Sequence, residues 1–291
     1  MKSGEFVFNS CNSSNYARPL TAGFVLPDGD GKYDGLLIFT HGWGNNRHDG
    51  REFLTWAAEN FNLAGISVEF RQSGCDFDPV TGRGADLPYD AGFFQVTDVL
   101  NGVRAMLAGF PGINRRRVYH YGGSQGGHLA LLSAIYAPDT FAAIYASCAL
   151  TAITPEIAGW CGRDFSEREL RIRDVANLVE HIKIPVWLDH GTADEIVPPA
   201  HTRRVFDALR AAGKTVSYRT IDGGDHLLAP VTTRFEVFRE TAPEMFRVVK
   251  ADAENDFTLK NRYRLPAGSG DHLLIDWSKT SDNANLLKWE E

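Results

Sequence analysis

A serine set among glycines, a carboxylate and a histidine, met in that order along the chain, are the side chains whose types and spacing could carry out chemistry here. The serine is Ser124, in the run Gly122-Gly123-Ser124-Gln125-Gly126-Gly127. An apolar segment ending at Tyr121 leads into it and a helical pattern leads out. In that context G-x-S-x-G places the serine on a tight turn at the carboxyl end of a strand. Gly122 and Gly126 are needed because a Cβ two residues to either side would collide inside the turn. The helix beginning at Gln125 aims its unbonded N–H groups at the same point. Such a serine is a candidate nucleophile for acyl transfer.

A serine hydroxyl is a poor nucleophile near neutral pH; it needs a histidine to take its proton and a carboxylate to orient that histidine. Both follow the serine in the chain, as the motif requires. Asp194 lies in Gly191-Thr192-Ala193-Asp194-Glu195, and His226 ends Asp222-Gly223-Gly224-Asp225-His226, each just beyond a strand-like run. Glu195 and Asp225 are rival carboxylates, but Glu195 should point away from its neighbour's direction and Asp225, adjacent to His226, is badly placed to reach its ring. The charge that develops on an attacked carbonyl needs donors. The backbone N–H of Gln125 supplies one; the loop His41-Gly42-Trp43-Gly44 is expected to supply the other from Trp43. Trp43 and Trp160 are also candidate walls of a substrate pocket. His41 precedes the serine and reads as a brace for its loop, and Arg71 reads as a structural partner for a carboxylate below the site.

The elements that must position these groups are short apolar runs alternating with longer helical patterns. Strands are predicted at 35–40, 65–70, 117–121, 142–147, 185–190 and 216–221, and helices at 51–63, 93–108, 125–136, 201–212 and 233–249. That alternation is the signature of a mostly parallel sheet covered by helices, its strands apolar because both faces are buried. Within 93–108, Val96, Val99, Leu100, Val103 and Leu107 recur at three- and four-residue steps and should face the sheet. Two segments break the pattern. Residues 149–184 are too long for a simple crossover; Ser166-x-x-Glu169 predicts a capping box opening a helix through about residue 182. Residues 251–291 carry two apolar runs around Pro266-Ala267-Gly268-Ser269-Gly270-Asp271, consistent with a hairpin.

Composition excludes other function classes. The 291 residues hold 37 acidic and 30 basic side chains, a net charge of −7, so there is no broad cationic face for nucleic acid. The longest nearly apolar run, 141–153, is too short for a membrane span. No secretory signal is visible at the start, so a cytoplasmic location is the expectation. Four cysteines are too sparse for a disulfide scaffold and read as free structural thiols; Cys148 to Cys161 is the one bridge worth considering. The histidines are dispersed and 75–78 lacks the spaced oxygens of a calcium loop, so neither metal nor cofactor is expected. No motif sets an oligomeric state.

With Gly122-Gly123-Ser124-Gln125-Gly126-Gly127-His128-Leu129-Ala130 and His190-Gly191-x-x-Asp194-x-x-Val197-Pro198 in view, the chain resembles the α/β-hydrolases over about residues 20–250, and within them the prolyl-oligopeptidase-like group. The Ser-Gln-Gly-Gly string and Arg71-Gln72-Ser73-Gly74 are also similar to the acetyl xylan and cephalosporin-C deacetylases. Those carry Arg-Gly-Gln and a Glu after the catalytic histidine, where this chain has Arg-Gln and Leu227. The resemblance implies an α/β fold with an eight-stranded, mostly parallel sheet, helices on both faces and a Ser124–His226–Asp194 triad. Residues 1–250 would form the catalytic domain, 149–184 a helical cap-like insertion, and 251–291 a C-terminal extension. The activity expected first is hydrolysis of small carboxylic esters through an acyl-enzyme, since the gating propeller of large oligopeptidases does not fit ahead of His41. Hydrolysis of small peptides or aminoacyl amides is the alternative, and a non-catalytic binding protein on a hydrolase scaffold the third. The substrate walls are expected from Trp43, the 73–90 loop and the 149–184 segment with Trp160.

Overall fold

The computed structural model describes residues 1–13, 17–74, 77–78, 83–84 and 88–291. Cys75 and much of the expected 73–90 pocket loop lie outside them. In chain order the elements are β1 Lys2–Ser10, β2 Arg18–Leu26, β3 Gly35–Thr40, α1 Arg51–Phe61, β4 Leu63–Val68, the short pair β5 Phe77–Asp78 and β6 Arg83–Gly84, then α2 Phe94–Gly109, β7 Val118–Gly123, α3 Gln125–Tyr136 and β8 Ala143–Ser147. There follow α4 Pro155–Trp160, α5 Glu167–Arg171, β9 Val186–Gly191, α6 Ala200–Ala211, β10 Val216–Ile221, α7 Arg234–Met245, α8 Asp256–Leu259, β11 Arg262–Gly268, β12 Asp271–Asp276 and β13 Leu287–Glu290.

Eight strands form one sheet in the order β1-β2-β4-β3-β7-β8-β9-β10, parallel from β4 through β10 and antiparallel on both sides of β2. Alternation along each central strand decides which helices cover which face. On β3, Leu36 and Ile38 pack with Val96, Val99, Leu100 and Val103 of α2 and with Leu129 and Leu132 of α3, while Leu37 and Phe39 pack with Phe53 and Leu54 of α1 and Phe238 of α7. The sheet is thus covered on both faces. After β3 the chain turns one way to β4 and later returns to add β7 on the other side. The loops leaving β3 and β7 therefore diverge, opening a crevice at the carboxyl ends of the strands where ligands bind in open α/β sheets.

The 149–184 segment departs from expectation. Ser166 and Glu169 do form the capping box, but the helix ends at Arg171 and gives way to two 3₁₀ turns, Val175–Asn177 and Val179–His181. Asp174 is extended rather than helical, and Ile172, Val175, Leu178 and Ile182 are drawn individually into the core. The predicted helix at 233–249 stops at Met245. Cys11, Cys148 and Cys161 are free and buried, so no bridge joins the last two, and burial pushes each thiol up to about 11. Beyond residue 250, β11, β12 and β13 make a separate antiparallel sheet. It is fastened to α2 and α3 by Trp277, which is buried and donates Nε1–H to the Tyr136 carbonyl, and by Asn101 and Arg104, which donate to the carbonyls of Ser281 and Lys279. Among the described residues no helix is long and apolar enough to cross a membrane.

Candidate active site

β7 ends at Gly123, and the next residue, Ser124, takes φ 58° and ψ −124°, a conformation that L-residues rarely adopt. The turn closes because of missing side chains. A Cβ on Gly122 would stand 2.1 Å from the Gly126 carbonyl oxygen, and one on Gly126 would stand 2.1 Å from that of Thr40. The Ser124 N–H is held by the Ser147 carbonyl of β8 at 2.9 Å, so neighbouring strands lock the strained residue.

Two loops bring the other groups to it. His226 Nε2 lies 2.9 Å from Ser124 Oγ, and His226 Nδ1 lies 2.7 Å from Asp194 Oδ2. Asp194 leaves β9 and His226 leaves β10, the adjacent parallel strand, so both arrive at the same sheet edge. Asp194 is buried, and its Oδ1 accepts the backbone N–H groups of Ile196 and Val197 at 3.0 and 2.9 Å. Burial by itself would raise its pKa, but hydrogen bonds from His190, His226 and Val197 outweigh it and hold the carboxyl well below the usual carboxylate range. Of the rival carboxylates, Glu195 is exposed, and Asp225 accepts the N–H groups of Leu227 and Ala229, shaping the turn that carries His226.

A second histidine, not singled out from the sequence, shares the Asp194 carboxylate. His190 is fully buried; its Nε2 meets Asp194 Oδ2 at 3.0 Å and the Val197 carbonyl at 2.8 Å, and its Nδ1 meets Thr202 Oγ1 at 2.7 Å. A carbonyl only accepts, so Nε2 carries the hydrogen. The readable signal was its position four residues before Asp194 at a strand end. Cys148, His190 and Asp194 are also the one set of potential metal ligands clustered among the described residues, within 4.8 Å. Within this set both ring nitrogens of His190 are already committed to Thr202, Asp194 and the Val197 carbonyl.

Trp43 and Gln125 both line the pocket of about 270 Å³ that contains Ser124 and His226. Gln125 is the first residue of α3, so its N–H has no helical acceptor. Its side chain is held away by a relay: Tyr89 donates its hydroxyl to Gln125 Oε1 at 3.0 Å, Gln125 Nε2 donates to Gln95 Oε1 at 2.9 Å, and Gln95 Nε2 donates to the Arg71 carbonyl at 3.1 Å. The Trp43 ring stacks on buried Tyr89 at 3.9 Å and meets Trp160 edge-on at 6.4 Å. Leu150, Ile196, Val197 and Leu227 complete a largely apolar lining. Tyr89 and Gln95 had no distinguishing sequence signal. His41 stacks on Phe70 at 4.2 Å and bonds the Gly42 carbonyl, bracing its loop. Arg71 forms a buried bidentate pair with Asp98 beneath the site, Nε and Nη2 each 2.7 Å from a carboxylate oxygen. Arg234, also unforeseen, donates Nη2–H to the His226 carbonyl and lies over Gly123.

The arrangement can deprotonate a hydroxyl as it attacks a carbonyl, with the N–H of Gln125 at the start of α3 beside the same pocket. Residues 87–243, over half of the chain, match the model of the prolyl oligopeptidase family. Acyl-protein thioesterase 1 of Emericella nidulans is 23% identical over 222 residues, 69% of this chain and 86% of that protein. Among solved structures, an acylaminoacyl peptidase from Pyrococcus horikoshii is 18% identical with a TM-score of 0.69, covering 86% of this chain and 43% of its own. A puromycin-hydrolyzing peptidase of Mycobacterium tuberculosis is 20% identical with a TM-score of 0.62, covering 82% and 38%. The chain thus spans less than half the length of these two peptidases, and what it shares with them is the α/β-hydrolase fold.

Proposed function

Because the chain belongs to the prolyl oligopeptidase family of serine hydrolases, we propose that it hydrolyses small carboxylic esters, with Ser124 as nucleophile, His226 as base and Asp194 as the orienting carboxylate. The observation that carries this reading is the unbroken line of contacts from Ser124 Oγ to His226 to Asp194, at 2.9 and 2.7 Å, opening on the pocket. As Ser124 Oγ bonds to the ester carbon, its proton passes to His226 Nε2. Asp194 stabilises the imidazolium through Nδ1–H. The carbonyl oxygen, now negative, takes hydrogen bonds from the Trp43 and Gln125 amides at the positive end of α3. His226 returns the proton to the departing alkoxide, leaving an acyl-enzyme; water, deprotonated by the same ring, then releases the acid. Each step uses only groups of this chain. Residues 1–250 are the catalytic domain in this reading, 149–184 its cap and 251–291 an extension.

The ester preference draws on the pocket lining. Trp43, Trp160, Leu150, Ile196 and Val197 suit an acyl chain, and among the described residues no acidic side chain lines the pocket to receive a peptide ammonium group. A thioesterase among the relatives agrees with acyl transfer from a good leaving group. The second reading, cleavage of peptides or aminoacyl amides, is favoured by the peptidases of like fold. Matched p-nitrophenyl acyl esters and aminoacyl p-nitroanilides separate the two. Higher kcat/KM on short esters is expected, and faster anilide cleavage would reverse the assignment. Labelling of Ser124 by a fluorophosphonate tests the nucleophile, and its absence would return the chain to a binding role.

A further inference from the structure

A second cavity, about 390 Å³, adjoins the reacting pocket. The two share Gly42, Asn45, Leu227 and Arg234. Gly42 lies beside the nucleophile where the two meet: a Cβ there would stand 3.4 Å from the Ser124 Cβ and 3.9 Å from Asn45 Nδ2. The second cavity has an aromatic floor of Phe39, Phe53, Tyr121 and Phe235 and, among the described residues, one lysine or arginine side chain, Arg234.

Arg234 is half-buried and forms no ion pair among the described residues. Its Nη2–H is taken by the His226 carbonyl, while Nε is buried without an acceptor. The nearby carboxylates take their hydrogen bonds from other groups, although the Arg234 charge reaches buried Asp189. Asp225 accepts Leu227 and Ala229 N–H, Glu236 caps α7 through Thr232 and Thr233, and Asp189 takes the hydroxyls of Tyr145 and Ser147 at 2.6 Å each. A half-buried guanidinium that lines the cavity without an ion pair among the described residues leaves a positive charge there; its natural complement is a carboxylate, which binds a guanidinium by charge-assisted hydrogen bonds. The side of the carbonyl it serves follows from the mechanism. The leaving atom must receive its proton from His226, and the second cavity is built from the loop that continues from His226: Leu227, Ala229 and Thr232 through Phe235.

We propose that this cavity is the leaving-group subsite and that Arg234 selects esters whose alcohol or phenol portion bears a carboxylate. The proposal rests on the serine-hydrolase reading and specifies its substrate class. The aromatic floor takes the body of that group, with its anion at Arg234.

The full chain is assayed on two acetates of equal shape, 3-acetoxybenzoate and 3-acetoxybenzamide, each rate divided by its spontaneous hydrolysis. Wild type should favour the carboxylate in kcat/KM by about tenfold or more, the worth of one charge-assisted contact. Arg234→Gln should erase that ratio and Arg234→Lys should keep most of it. Equal turnover of both acetates by wild type, or proportional losses on both in Arg234→Gln, would overturn the proposal, the latter leaving Arg234 only a support for His226. Calorimetry of Ser124→Ala with 3-hydroxybenzoate reads the subsite without turnover. Binding that is lost on adding Arg234→Gln supports the carboxylate site at Arg234, and its absence overturns it, whereas absent fluorophosphonate labelling and turnover would strike the hydrolase reading and with it the leaving-group role.

Discussion

Replacing Asp194 with asparagine changes one oxygen to an amide nitrogen, and the structure dictates which. Oδ1 accepts two backbone N–H groups, from Ile196 and Val197, whereas Oδ2 accepts from the side chains of His226 and His190. An NH₂ group facing both backbone amides would oppose two fixed donors, so the asparagine carbonyl oxygen stays there and its NH₂ takes the place of Oδ2. Facing that NH₂, His226 must shed the hydrogen from Nδ1 and carry it on Nε2, pointed at Ser124. The ring then donates to the nucleophile and has no lone pair left to take its proton. A wrong tautomer of this kind in a serine triad costs about 10⁴ in kcat, so kcat for p-nitrophenyl acetate should fall by about 10³ to 10⁴, and fluorophosphonate labelling should slow in parallel. The same NH₂ meets the Nε2–H of His190, a donor against a donor in a buried place, which should cost about 1–3 kcal/mol of stability by urea denaturation. A variant retaining more than a tenth of wild-type kcat, or labelling at an undiminished rate, would refute the assignment of Asp194.

Ser124→Ala should abolish turnover by about 10⁴ or more with an unchanged fold, and Ser124→Gly, freed of the penalty at φ 58°, should be more stable than Ser124→Ala by about 1–3 kcal/mol; equal melting temperatures would argue against a strained elbow. Gly126→Ala places a methyl 2.1 Å from the Thr40 carbonyl oxygen and 2.6 Å from that of His41, backbone that cannot retreat, so soluble expression or at least about 3 kcal/mol of stability should be lost. Acid should act on Asp194 with a definite sign. Its folded pKa lies below the ordinary 3.8, so its contribution to stability is fully present above that value and disappears as pH falls below it. The gap in stability between wild type and Asp194→Asn should hold from pH ~7 to ~5 and narrow below pH ~4; a gap constant down to pH ~2.5 would contradict this. Trp160→Ala removes an edge contact at a residue 41% exposed, so it should shift acyl-chain preference while changing stability by less than about 1 kcal/mol.

Legibility in the sequence differed among elements for physical reasons. The central strands and their helices were readable within two residues, α7 apart, which ends four residues early, because their apolar periods are local and strong. β1 and β2 were not, since they form an antiparallel margin of the sheet in which exposed and inward residues alternate, as in β1, leaving no continuous apolar run. The capping box of α5 was legible, but the helix end was not. Arg173, buried just beyond it, donates to the carbonyls of Glu169 and of the distant Ala91 and Asp90, and the last two tie it to another part of the chain.

Sequence by itself determined the nucleophile turn, the order of its partners and the face each helix presents, because steric demands at Gly122 and Gly126 and the spacing of apolar residues act over a few positions. Only the tertiary structure decided that His190 shares the Asp194 carboxylate, that Tyr89 holds Gln125, and that Arg234 lies between two cavities with no ion pair among the described residues. These contacts join side chains whose meeting is set by how strands are ordered across the sheet and how loops turn at its edge. Hydrogen-bond geometry and desolvation settle them in space, and no short-range pattern along the chain records the result.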